Sequence, residues 1–153
     1  MLEQCQFQFC PEPRSAPGTV PRSITAPDSP RKNRLLAALP PEDYARLLPH
    51  LTHVPLPLGW TVHQAGDRES FLYFPIAGIV SRSYVSADGV SSELAITGNE
   101  GAIGVASFLG GMSSLIRAEV VCAGSAYRLR VAAVKGEFAR GGPMANLLLR
   151  YTE

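Results

Sequence analysis

Between Pro49 and Val131 the apolar residues alternate in short runs, cut by turn residues about every eight to twelve positions. Few folds accept that rhythm. A period of two means strands with one buried face, and closely spaced turns mean antiparallel neighbours, so the segment is expected to form a sandwich, roll or barrel. The expected strands are 53–56, 60–64, 70–74, 79–85, 90–97, 116–122 and 126–131. Gly59, Gly66-Asp67, Gly78 and Gly124 mark the breaks. Asp88-Gly89 supplies the positive φ of a tight hairpin turn.

The flanks read differently. Six of the thirteen prolines fall between Pro11 and Pro30, among Ser, Thr, Arg and Gly and without an apolar period, so residues 1–32 are expected to be a disordered leader. Order is expected from Asn33, a good N-cap for Arg34 to Leu39. Pro40 ends that helix, and Pro41 to Leu48 restarts one with two acids in its first turn. The main domain is expected over 33–142. Beyond Val131 the helical period returns, in Ala132 to Arg140 and then from Pro143. Leu147, Leu148 and Tyr151 give the last helix an apolar face that nothing later in the sequence covers, so 143–153 reads as a helix cut short.

One loop carries the strongest functional signal. Gly98-Asn-Glu-Gly-Ala-Ile-Gly104 interrupts strand-like sequence and leads through an apolar turn to Ile116-Arg-Ala118. Glycine lets backbone N–H groups approach an anion closely, and a helical turn near Gly104 would aim its positive end at a phosphate. Any tight turn also wants glycine, so spacing alone decides nothing.

Composition narrows the classes. With 153 residues the chain holds one ordinary domain, and a net charge of +1 gives no basic footprint for nucleic acid. No run reaches the roughly 18 apolar residues that a transmembrane helix needs, and a secretory signal pattern is missing, so a cytoplasmic location is expected. Cys5, Cys10 and Cys122 are too few and too scattered for a disulfide framework.

The order of elements resembles the sensory domain of the Crp/Fnr transcription regulators over about Asn33 to Glu153. Its carriers are Leu58-Gly59, Gly66-Asp67, Tyr73-Phe-Pro75 with Gly78, Asp88-Gly89, Gly98 to Gly104, Leu109-Gly110 and Ala126-Tyr-Arg-Leu129. The resemblance implies a mainly β fold with flanking helices: an antiparallel double-stranded β-roll, jelly-roll-like, with short N-terminal helices and a C-terminal dimer helix. It implies that the glycine loop is a phosphate-binding cassette, and that a helix-turn-helix domain would follow. By that resemblance the ligand-binding candidates are Gly98, Glu100, Gly101, Gly104, Arg117 and Ala118. The dimer-interface candidates are Leu147, Leu148 and Tyr151.

Two departures accompany it. Cyclic-nucleotide-binding members have a glutamate after the cassette glycine to accept from the ribose, and an arginine and a Ser or Thr before the alanine. Here Val105 follows Gly104, and Ile116 and Arg117 precede Ala118. A two-residue insertion would return Arg117 to the phosphate, and Glu100 would then replace the missing acid. The second departure is the absence of a helix-turn-helix within this sequence.

Rival chemistries have weaker support. His50, His53 and His63 lack the converging spacing of a cupin-like metalloenzyme and read as surface or helix-cap residues. Three cysteines fall short of the four that hold an iron-sulfur cluster. Alternation puts Arg117 and Glu119 on one face, opposite Ile116, Ala118 and Val120, which favours a solvated ion pair. Trp60, Phe71, Tyr73, Phe74 and Phe108 read as core. No nucleophile elbow or paired carboxylates are visible, so no enzyme, cofactor or metal is expected.

The leading expectation is a regulatory domain, truncated, with a pocket degenerate for cyclic nucleotides. It would act as a homodimer or pair with a full-length regulator, without binding DNA itself or a membrane. The alternatives are a stand-alone sensor of a nucleotide or small anion and, less favoured, the metalloenzyme.

Overall fold

The computed structural model describes residues 28–67, 69–86, 88–105 and 116–152. Helix α1 (Arg34–Ala37) begins where the side chain of Asn33 caps it, accepting from the N–H groups of Leu35 and Leu36. Helix α2 (Pro41–Leu47) starts at a proline and carries Glu42 and Asp43 in its first turn, where acids complement the helix dipole. A 3₁₀ turn over Leu48–His50 then hands the chain to the sheet.

Five strands are present among the described residues: β1 (Thr52–Leu56), β2 (Thr61–His63), β3 (Phe71–Val85), β4 (Ser91–Thr97) and β5 (Ile116–Arg130). All pairings are antiparallel. The order is β1-β5-β3-β4, with β2 also on β5. Helices α3 (Val131–Ala139) and α4 (Pro143–Thr152) close the chain.

The antiparallel β-roll is therefore as expected, but two expected breaks are absent. The segments expected at 70–74 and 79–85 fall, but for Ser70, in the one strand β3, and those at 116–122 and 126–131, but for Val131, in the one strand β5. Gly78, with φ +86°, is not a turn; it sits among register shifts between Pro75 and Val80. A bulge uses the same residue as a turn and only bends the strand.

Residues 28–32 of the expected leader are structured, and its remainder, 1–27, lies outside the described residues. Pro30–Lys32 form a 3₁₀ turn capped by Ser29, with Pro30 buried. Tyr127 on β5 donates to the backbone oxygen of Asp28 at 2.7 Å, Lys32 pairs with Asp28 at 2.8 Å, and Arg31 lies over the Tyr44 ring. Asp28 and Arg31 thus gain partners from β5 and α2, a source of order that local composition does not report.

The long strands serve two cores. Leu72, Phe74 and Leu129 face the helices, packing with Leu35, Leu36, Leu39, Leu47, Val134, Met144 and Leu148. On the other face Tyr73, Val80, Ala118, Val120 and Ala126 fill the roll with Leu56 and Ile103. Alternation along one strand thus builds both compartments. No described helix is long and apolar enough to cross a membrane.

Candidate functional site

The glycine loop is fastened on three sides. Ile103 exchanges both backbone hydrogen bonds with Tyr73 on β3, each 2.9 Å. Asn33, fully buried, donates through Nδ2 to the carbonyl oxygens of Gly101 and Pro75, also at 2.9 Å, while its Oδ1 caps α1. Tyr151 on α4 donates to the Ala102 oxygen at 3.3 Å. Arg34 N–H adds a bond to the Asn99 oxygen. The first helix, the sheet and the last helix therefore all meet at this loop.

Its glycines are explained by packing. Gly104 has φ +97°, and a Cβ there would lie 2.6 Å from the Phe71 carbonyl oxygen. Gly101 abuts the hydroxyl end of Tyr151 and the methyl group of Thr97, which leave no room for a Cβ. Gly98 gives its N–H to Glu100 Oε1 at 2.8 Å, so that carboxylate closes an exposed turn and does not enter the roll. Val105, which stands after Gly104 where the resemblance implies a glutamate, is buried in the helix-side core.

The six ligand candidates do not converge. Ala118 is buried inside the roll, whereas Arg117 points outward, 2.5 Å from Glu119 and 3.5 Å from Thr61 Oγ1. Alternation is the cause, because Ala118 and Val120 take the inner face of β5. The rest of the loop, 106–115, with Phe108 and Leu109-Gly110, lies outside the described residues, as do Cys5 and Cys10. Cys122 is half-buried on β5 opposite Ile79.

The dimer candidates are occupied within the chain. Leu148 is buried in the helix-side core, and Leu147 and Tyr151 pack against it. Burying a leucine contributes roughly 1.5–3 kcal/mol, so α4 gains more by docking on its own domain than by exposing that face. Its outward leucine is Leu149.

Two groups escaped the sequence reading. His63 Nε2 lies 2.9 Å from Glu69 Oε1, with both side chains nearly buried, a contact without hydrogen-bond alignment. His63 is thus neither a surface nor a cap residue. The pair lines an open cavity of about 320 Å³ with Val62, Asp67, Phe71 and Tyr73. His50 stays exposed on its 3₁₀ turn, His53 stacks edge-on with Tyr127, and no cluster of three metal-ligating side chains exists among the described residues.

Arg82 is the other. It pairs with Ala118 on β5 and Ala95 on β4, so it shares the inner face with Val80, Val120 and Thr97. The alternation Val80, Arg82, Tyr84 was the available signal.

No family model matches the sequence, and no curated protein does. Solved structures do. The N-terminal domain of a transcriptional regulator from Streptomyces coelicolor A3(2) is 27% identical, with a TM-score of 0.62 over 80% of this chain and 85% of that one. The sensor domain of the transcriptional regulator DNR from Pseudomonas aeruginosa is 21% identical, with a TM-score of 0.65 over 78% and 81%. The catabolite activator protein of Thermus thermophilus is 22% identical, with a TM-score of 0.66 over 76% of this chain and 55% of that one. The last two are likenesses of fold.

Proposed function

We infer that this chain, a cyclic-nucleotide-binding-type β-roll of the kind that Crp/Fnr-type regulators carry as their sensory domain, is a regulatory sensor whose roll does not take cyclic nucleotides. The observation that carries the reading is Val105: it is buried among the helix-side apolar residues, Glu100, the acid within Gly98 to Gly104, closes its own turn, and Glu69, whose carboxylate lies beside Gly104, contacts His63. A ribose hydroxyl entering the loop would meet no carboxylate from Val105 or Glu100. An unmet hydroxyl costs about 1–3 kcal/mol of binding, roughly a five- to 150-fold loss of affinity.

The output in this reading is α4. Tyr151 joins it directly to Ala102, so a ligand that reshapes the loop shifts the helix between positions. Leu149, outside that packing, is where a second copy or a full-length regulator would pair with it.

Two measurements on the purified chain test the reading. Calorimetric titration with cyclic AMP, cyclic GMP and cyclic di-GMP is expected to be flat, and saturable micromolar binding of any of them would overturn the degenerate pocket. Tyr151→Phe is expected to speed hydrogen exchange at the Ala102 and Ile103 amides; unchanged exchange there would remove α4 as the output.

A further inference from the structure

Rows of side chains on the inner face of the roll run from closed to open. The row of Val80, Thr97 and Val120 is fully buried. Next come Arg82 with Ala95 and Ala118, and then Tyr84 with Ile116 and Ser92, where Tyr84 is 40% exposed. Arg82 therefore stands one row inside the mouth. Its side chain has no ion-pair or hydrogen-bond partner among the described residues, and its Nε is buried. A guanidinium nitrogen withdrawn from water and left unpaired is costly, and structures retain such groups where something else pairs with them.

Thr97 gives a second, independent indication. It lies on the same face, diagonal to Arg82, only 1% exposed, and its Oγ1 also lacks a partner. Both registered neighbours of Arg82 are alanines, small side chains that offer the guanidinium no polar partner. The nearby carboxylates are engaged elsewhere: Glu69 with His63, Glu119 with Arg117, and Glu93 with Ser81 on the outer face.

We propose that Arg82, with Thr97, is an anion anchor inside the roll, and that the effector is a compact oxyanion on an apolar or aromatic body. Arginine presents several N–H donors to a carboxylate or phosphate, and the threonine hydroxyl adds one more. Val80, Val120 and Ala118 supply the apolar wall for the body. The proposal rests on the reading of the chain as a sensor, from which it takes the roll as the ligand compartment.

The test titrates the full chain with benzoate and phenyl phosphate, with inorganic phosphate and benzyl alcohol as charge-only and body-only probes. Binding of at least one of the first two, tighter than either control, is expected; which of them binds identifies the oxyanion. Arg82→Met should weaken it roughly ten- to a hundredfold, the value of a charged hydrogen bond, and Arg82→Lys less. Ala95→Leu, which sets a larger side chain beside Arg82 and keeps its charge, should also block the probe and covers the case in which Arg82→Met does not fold. Equal binding by Arg82→Met and the parent, or no binding of either aromatic anion up to about 10 mM, overturns the proposal. Hydrogen exchange of α4 is followed in the same samples: Arg82-dependent binding without any α4 response keeps the anchor and defeats the sensor reading.

Discussion

Gly78 on β3 and Gly124 on β5 lie back to back where the two longest strands bend, and neither site has room for a side chain. A Cβ on Gly78 would stand 2.6 Å from the Cys122 carbonyl oxygen and 3.0 Å from Gly124 Cα, and one on Gly124 would collide with the Ala77 carbonyl. The contact lets each strand continue past its bulge, so that one strand serves both cores.

Alanine at either position must therefore push backbone against backbone. Gly78→Ala, which also forces a side chain into the left-handed φ region, is expected to destabilise by at least about 2 kcal/mol. Gly89→Ala, also at positive φ but with open space around it, should cost less. Urea denaturation of the two variants checks the order, and equal losses would mean that φ strain alone accounts for the effect.

Asn33 combines a helix cap with two buried donors, and the two roles are separable. Asn33→Asp keeps the cap acceptor for Leu35 and Leu36 but turns an oxygen toward the carbonyls of Pro75 and Gly101. Losing a cap costs about 1 kcal/mol, and orphaning buried carbonyls costs about 1–3 kcal/mol. Asn33→Asp should thus be at least as damaging as Asn33→Ser, which also retains a capping oxygen. Thermal melts at neutral pH measure this, and an aspartate variant as stable as the parent would refute the role of the donors.

Tyr127 gives the fold an alkaline limit. Burial, then the nearby Tyr44 and Asp28, raises its phenol above the ordinary value near 10. The folded state then holds the proton longer than the unfolded state. Its stabilising contribution is complete below the unfolded pKa and is lost as pH rises through the folded one. Tyr127→Phe, which also gives up the bond to Asp28, should be less stable at pH 8 and show a shallower loss of stability above about pH 10. Denaturant midpoints at several pH values read both, and parallel profiles would count against the assignment.

Legibility in the sequence followed how local each cause is. Asn33 as a cap, Pro41 at a helix start and the Asp88-Gly89 hairpin are local signals, and each element stands where they place it. Gly78 and Gly124 were legible as interruptions but not as bulges, because each glycine is required by the other strand's backbone. The site divided in the same way. Alternation correctly turned Arg117 toward Glu119, yet the same rule applied to Val80 and Tyr84 would have turned Arg82 inward. His63 and Glu69 meet across a connection, and neither residue's neighbours announce the other.

The four hydrogen bonds of Asn33 also bear on how the chain is made. Asn33 leaves the ribosome well before Pro75 and Gly101, so its side-chain donors wait without acceptors until β3 and the glycine loop have been synthesised. The first helix to emerge is thus among the last to be completed. Such a domain gains its stability late and all at once, through contacts distant along the chain, and a nascent fragment ending before the loop has little to hold its N-terminal turns in place.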